Sequence, residues 1–267
     1  MIVSDFHTHT KFCDGDNTPE EMVLSAIEKG FSSLGFSMHS PCSDYGDWII
    51  PAEDAAAYRK EIDRLKEKYA EQLTILCGIE QDASCTESTE PYDYVIASVH
   101  SITDDFGRRW QMDWNIPHFK EAIRAFGGDP YALVEAYYEQ VGNLKGGDII
   151  GHLDLVTKFL DREPLFDPNH PRYRRAAEEA IRKLIPSGML FEINTGAISR
   201  NYRTDPYPAK PLLCYIRALG GEIILNGDCH ACAHLGVYYS DAVSHAKACG
   251  FTRAAILTPL GREYIEL

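Results

Sequence analysis

Two residue pairs could do chemistry. His7 and His9 stand two apart directly after a short apolar run, and Asp228 and His230 repeat the arrangement near the other end of the chain. Residues i and i+2 of an extended segment point to one face, so each pair presents two donors together. His39, Glu80, His100 and His152 follow other apolar runs singly. Imidazoles with carboxylates suit zinc, manganese or iron better than calcium or magnesium, which prefer shells of oxygen alone. Carboxylates such as Glu80 and Asp228 clustered among histidines also need cationic charge, because bare they would repel or protonate. A multi-metal centre supplies that charge, and ions roughly 3.5–4 Å apart can activate water and clamp a phosphoryl group. A lone histidine is more often an ordinary surface or core residue. We keep that reading for His118, His170, His234 and His245, which follow no such run.

The elements that must position these donors alternate. A short strand, Ile2 to Phe6, ends at His7. Thr18-Pro19-Glu20-Glu21 then reads as a helix start, with Thr18 as cap, Pro19 at the first helical position and Glu21 closing a capping box. That helix turns Met22 and Ile27 inward and stops at Gly30. A second strand, Leu34 to Met38, ends at His39. Pro51 opens a helix to about Ala70, with Tyr58, Ile62, Leu65 and Tyr69 at helical spacing. Further strands run Leu73 to Ile79 before Glu80, Tyr92 to Val99 before His100, and Asp148 to Gly151 before His152. Met189 to Asn194 and Glu222 to Gly227, the latter before Asp228, complete seven. Helices are expected from Asp129 to Leu144, Tyr173 to Ile185, Pro211 to Leu219 and Asp241 to Ala248, with a last strand from Ala254 to Leu257.

Strands alternating with helices imply a parallel sheet with helical crossovers. Strand ends carrying His, Glu or Asp converge on one face if the sheet closes into a barrel, whereas an open sheet spreads them along a line. No glycine-rich dinucleotide or phosphate loop follows any strand. The expected fold is therefore an α/β barrel in one domain over residues 1–267, with its metal site at the carboxyl ends of the strands.

Bulk properties narrow the partners. The chain has 267 residues and a formal net charge of -14, which repels a nucleic-acid backbone at long range. No stretch has the apolar length of a membrane span, and MIVSDFHTHT lacks a basic region followed by an apolar run. A soluble, cytoplasmic protein is expected. The eight cysteines form no dense framework, which favours reduced thiols. The single CxxC, Cys229 to Cys232, lacks the second pair that a structural zinc site requires.

His-Thr-His-Thr-Lys-Phe-Cys-Asp-Gly at 7–15, followed by Thr-Pro-Glu-Glu at 18–21, resembles the opening motif of the PHP (polymerase and histidinol phosphatase) superfamily. Phe36-Ser37-Met38-His39-Ser40-Pro41 is similar to its second motif, where Asp-His or Gly-His is usual and Met38 departs. Gly78-Ile79-Glu80, Ser98-Val99-His100-Ser101, Gly151-His152-Leu153-Asp154 and Asn226-Gly227-Asp228-Cys229-His230 match the later motifs in order. Glu192 to Gly196, with Arg200 and Tyr207-Pro208, is similar to the sixth-strand segment of its monofunctional histidinol-phosphatases. The resemblance covers almost the whole chain. It implies a distorted (β/α)7 barrel holding three divalent metal ions, zinc, manganese or iron. His7, His9, Glu80 and Asp228 would take one ion. Glu80, His100 and His152 would take a second, with Glu80 bridging, and Asp14, His39 and His230 the third. Asp16 competes with Asp14 for that place.

The implied activity is metal-dependent hydrolysis of L-histidinol phosphate in histidine biosynthesis, with Glu80, Asp228 and His230 in the catalytic machinery. Arg200 is the candidate clamp for the phosphate oxygens, with Lys158 and Arg203 as weaker candidates. Asp104 or Asp105 could meet the cationic half of a small phosphate monoester, while Trp110 and Trp114 are read as packing residues. Two other classes compete. A nucleotide or oligonucleotide phosphoesterase should show a basic groove, which this acidic chain lacks. A metal-binding scaffold without activity should show degenerate ligands, whereas all nine positions are filled here.

Overall fold

The computed structural model describes residues 4–41 and 52–267; Ile2, Val3, Cys42 and Pro51 lie outside the described residues. Seven strands run parallel in the order of the chain: β1 (Ser4–Asp5), β2 (Ser33–His39), β3 (Thr74–Asp82), β4 (Tyr94–Ser98), β7 (Ile149–Ile150), β8 (Leu190–Asn194) and β9 (Ile223–Asn226). β10 (Arg253–Thr258) extends this sheet in parallel and β11 (Gly261–Glu266) caps it as an antiparallel edge. A separate antiparallel hairpin, β5 (Ser101–Thr103) with β6 (Arg109–Gln111), follows β4.

Helices cross between most of the parallel strands. α1 (Pro19–Glu28) starts on the expected capping box, in which the Thr18 amide donates to Glu21 at 2.7 Å and the Glu21 amide returns to the Thr18 hydroxyl at 3.3 Å. α2 (Ala52–Tyr69) buries Tyr58, Ile62, Leu65 and Tyr69 along one stripe, as their spacing requires. α3 (Ile116–Ala125) and α4 (Pro130–Val141) lie between the hairpin and β7, and α5 (Pro171–Leu184) leads to β8. The short α6 (Gly196–Ser199) and α7 (Lys210–Ala218) lead to β9, and α8 (Tyr239–Ala248) leads to β10. No helix among the described residues is long and apolar enough to cross a membrane.

The expected barrel is present as a curled sheet whose ladder does not close continuously. Instead, a single parallel bridge between Thr8 and Cys229 joins the extensions of β1 and β9. The His9 amide donates to the Cys229 carbonyl at 2.8 Å, and the Cys229 amide to the His7 carbonyl at 2.9 Å. The buried Asp5 carboxylate reinforces this seam by accepting from the amides of His7 and Gly227. Phe6, Leu76, Tyr94, Ile96, Ile149, Leu190 and Ile224 share one core cluster drawn from six of the parallel strands or their extensions. Tyr94 fits because Gly35 and Gly78 leave room: a Cβ on either would overlap its ring or hydroxyl.

Four elements were absent from the sequence reading: the β5–β6 hairpin, α3, α6 and β11. The thiol expectation is also corrected. α7 and the end of α8 bring Cys214 and Cys249 to a Cα separation of 4.6 Å, and the two are disulfide-bonded. Cys13, Cys77, Cys229 and Cys232 are free thiols. Within the CxxC, the Cys229 thiol donates to the Ala231 carbonyl and Cys232 faces the Met22 sulfur.

Candidate metal centre

The carboxyl ends of the parallel strands meet over Glu80. This residue lies within β3, in register with His39 on β2, so both side chains rise on the same face. His7 and His9 follow β1, with Thr8 between them turned away to donate to the Gly35 carbonyl at 2.7 Å. His100 and His152 stand two residues beyond β4 and β7, and Asp228 two beyond β9. Asp228 has a left-handed backbone, φ 46°, and its side chain fits because Gly196 has none: a Cβ there would lie 2.8 Å from the Asp228 Cβ.

Glu80 divides the histidines between its oxygens. Oε1 lies 2.9 Å from His152 Nε2 and 3.2 Å from His100 Nε2. Oε2 lies 3.0 Å from His39 Nδ1, 3.3 Å from His7 Nε2 and 3.5 Å from His9 Nε2. Asp228 Oδ1 faces His9 and His7 at 3.5 and 3.8 Å. Asp14 meets His230 at 3.1 Å and both His9 and His39 at 3.6 Å. Asp16 is exposed and belongs to none of these groups; its amide donates to the His230 carbonyl.

Four overlapping sets could each hold a cation: His9, Asp14, His39 and His230; His7, Glu80 and His152; His7, His9 and Asp228; and His39, Glu80 and His100. The donor atoms of each set lie within 4.8 Å of one another. The structure thus brings all nine expected donors together, with His7, His9 and His39 shared more widely than a three-way division would have them. His7 Nε2, His9 Nε2 and Asp14 Oδ1 are buried without a hydrogen-bond partner. Leaving such atoms unpaired costs about 1–3 kcal/mol each, and cations would satisfy all three. The residues present fit divalent metal ions.

Two carboxylates to which the sequence assigns no role stand behind the donors. Glu192 on β8 accepts from His7 Nδ1 at 2.6 Å and from the His152 amide at 2.8 Å. Asp82 at the end of β3 lies 3.1 Å from His100 Nδ1 and accepts from its amide at 2.8 Å. Fixing one ring nitrogen in this way leaves the other free to bind a metal. Burial alone would push the His7 pKa down, but Glu192, Glu80 and Asp228 raise it well above the usual imidazole value. Burial opposes ionisation of Glu80 as well, yet His7, His100 and His39 hold it well below the usual carboxylate range. Burial would raise Asp82 too; the hydrogen bond from His100 and its charge bring it down to about 2. His9 is depressed by burial and by its neighbours His230 and His39. The signals were the place of Glu192 between Phe191 and Ile193 in the sixth-strand motif and the spacing of Asp82 two residues beyond Glu80.

The donors open into a cavity of about 920 Å³. Two of the three expected substrate-facing cations line it. Arg200 grips Asp228, with Nη2 at 3.0 Å from Oδ2, and its Nη1 lies 2.6 Å from His230 Nδ1. Lys158 donates to the Asp113 carbonyl at 2.9 Å. Arg203 is not among the lining residues: it bonds the Thr157 hydroxyl, pairs with buried Asp154 and lies over the Tyr207 ring. Asp104 is likewise committed elsewhere, accepting from the amides of Phe106 and Arg108 and from the Trp110 indole, so it shapes the hairpin turn. Asp105 is exposed and does not line the cavity. Trp110 is buried as expected, whereas Trp114 faces the cavity.

Comparison with known proteins gives this arrangement a lineage. A "probable histidinol-phosphatase" of Deinococcus radiodurans is 30% identical, over 92% of this chain and 93% of that one. The histidinol-phosphatase of Bacillus subtilis is 27% identical, over 90% and 97%. A solved histidinol phosphate phosphatase of Lactococcus lactis, in complex with zinc, L-histidinol and phosphate, superposes with a TM-score of 0.72. It is 23% identical and the match covers 97% of this chain and 98% of that one, which establishes the shared fold. The sequence profile of the PHP domain matches residues 5–196, a span running from β1 to α6 that includes seven of the nine donors. The chain belongs to the PHP domain family.

Proposed function

We propose that this chain is a metal-dependent histidinol-phosphatase, hydrolysing L-histidinol phosphate to L-histidinol and phosphate. The observation that carries the reading is the convergence of donors on Glu80 at the floor of one cavity, in a chain whose relatives over nine-tenths of its length bear that name. His7, His9, Glu80 and Asp228 would hold one ion, Glu80, His100 and His152 a second, and Asp14, His39 and His230 a third. Bound zinc, manganese or iron supplies Lewis-acid charge to the phosphoryl oxygens and acidifies water.

The protein's own groups do the rest. Glu80 presents one oxygen to His100 and His152 and the other to His7, His9 and His39, so it would serve two neighbouring ion sites at once. Arg200 and Lys158 offer N–H groups to the phosphate from the cavity wall. The leaving alcohol would take its proton from a water held by Asp228 or His230, which stand together at 3.5 Å. The substrate is a small monoester, and a cytoplasmic place in amino-acid biosynthesis follows from that activity.

The test compares turnover of L-histidinol phosphate, sugar phosphates and short oligonucleotides by protein purified with its metals. A strong preference for L-histidinol phosphate is expected. Equal rates on all monoesters would refute the substrate, and cleavage of oligonucleotides alone would refute the reading as a whole.

A further inference from the structure

The carboxylates facing the cavity differ in what already occupies them. Asp14, Glu80 and Asp228 belong to the donor sets. Asp82 holds His100 and accepts from the Ser84 amide. Asp54 on α2 is exposed at the rim. Asp113 remains. It is half-buried between β6 and α3 and shares the cavity wall with Gln111 and Trp114. Its cation partner is Lys158, whose ammonium lies 2.9 Å from the Asp113 main-chain carbonyl, 3.3 Å from Oδ2 and 4.8 Å from the centre of the Tyr202 ring. Lys158 is thus anchored by a carbonyl and an aromatic face, and the carboxylate, with about four acceptor sites, keeps capacity to spare.

A carboxylate on the wall of a phosphate-binding cavity repels the dianion unless cations meet it; Lys158 supplies one, 3.3 Å from Oδ2, and a cation on the substrate can meet the acceptor sites left over. We propose that Asp113 is the specificity-determining residue of this site: its carboxylate receives the ammonium of the substrate's alcohol half, beside the exposed indole of Trp114. The proposal rests on the histidinol-phosphatase reading above. The two halves of the substrate are then read by neighbouring groups of opposite sign, with Lys158 at the phosphate end and Asp113 at the alcohol end. Trp114, 56% exposed, offers its ring face to a flat or cationic group.

The test measures kcat and KM of the metal-loaded protein and of the variants Asp113→Asn, Asp113→Glu and Lys158→Met, on L-histidinol phosphate and on p-nitrophenyl phosphate, whose alcohol carries no cation. Loss of a charged hydrogen bond, about 1.5–3 kcal/mol, corresponds to roughly 10–150-fold. Asp113→Asn should lower the preference for L-histidinol phosphate by that factor, mainly through KM, and Asp113→Glu should restore part of it. Lys158→Met should depress both substrates alike and leave the preference intact. Inhibition of p-nitrophenyl phosphate turnover by free L-histidinol should weaken in Asp113→Asn, while inhibition by inorganic phosphate should not. If the unaltered protein prefers L-histidinol phosphate and Asp113→Asn keeps that preference, the assignment of Asp113 is wrong. If the unaltered protein shows no preference at all, the histidinol-phosphatase reading falls first.

Discussion

Replacing Glu192 by Gln tests whether the carboxylate behind the donors governs metal binding. Its Oε1 accepts from His7 Nδ1 at 2.6 Å and Asn226 Nδ2 at 2.9 Å; its Oε2 accepts from the His152 amide at 2.8 Å and Asn194 Nδ2 at 2.9 Å. A glutamine has the same shape but only one accepting oxygen, so one of these two sides must face an NH2 group. The His152 amide cannot become an acceptor. His7 can, by moving its ring proton from Nδ1 to Nε2, the nitrogen that faces Glu80 and Asp228. The amide should therefore turn its oxygen to His152 and force His7 into the tautomer that cannot bind a metal. Disturbing such a partner typically lowers metal affinity 10–100-fold. The Asn226 side-chain amide also loses its acceptor, and flipping it would sacrifice its bond from the Phe6 amide at 3.0 Å. That adds about 1–3 kcal/mol of instability, a sizeable share of the ~5–15 kcal/mol that holds a domain together. Metal content after dialysis against graded chelator, read by elemental analysis, gives the first effect, and thermal unfolding of the chelated protein gives the second. Affinity within twofold of the parent together with an unchanged melting temperature would refute the argument.

Three further outcomes are expected. Glu80→Gln should lose metal as well as nearly all turnover; full occupancy at normal rate would remove Glu80 from the bridge. Gly196→Ala should push its new Cβ to within 2.9 Å of Asp228 Oδ2, a carboxylate already pinned by Arg200 and Asn194. Overpacking of about 1–3 kcal/mol and reduced metal retention should both register, by thermal unfolding and elemental analysis. Glu20 accepts from Lys68, Tyr69 and Arg64, whose hydrogen bonds bring its pKa down to about 2. A depressed pKa contributes stability above the ordinary value of 4.5 and loses it as pH falls towards 2. The melting temperature of Glu20→Gln should therefore lie below the parent's at pH 6, and the gap should narrow below pH 4.5 and close near pH 2; a constant gap would contradict this.

Most of the donors were legible because they follow an apolar run, which fixes both their position along the strand and the face to which they point; Asp14, in the turn after β1, was legible only through the family resemblance. Their supports were not. Glu192 alternates with Phe191 and Ile193, which is also what a solvent-facing carboxylate would show, and Asp82 lies beyond the expected end of its strand, which the structure extends to it. α3 was overlooked although Asn115 caps it and Pro117 stands in its first turn, because the segment before it forms strands of only three residues. Arg200 and Arg203 look equivalent in sequence, three residues apart. Yet α6 and the turn after it aim one at Asp228 and the other at Asp154. The Cys214–Cys249 pairing required knowing that α7 and α8 are neighbours, which no local pattern states.

The seam between β1 and β9 has a consequence for how the protein comes into being. Its closing contacts, from the Gly227 amide to Asp5, join positions 222 residues apart. Contacts of such separation form slowly, and during synthesis Asp5 must wait until the ribosome has delivered almost the entire chain. The set of His7, His9 and Asp228 straddles that seam, so it cannot exist in a nascent chain that stops short of β9. Metal capture by this set therefore records completed folding. Once made, it ties β1 and β9 together as a clasp whose strength follows the concentration of free ion. A cell short of that ion would lose tightness at the seam as well as turnover.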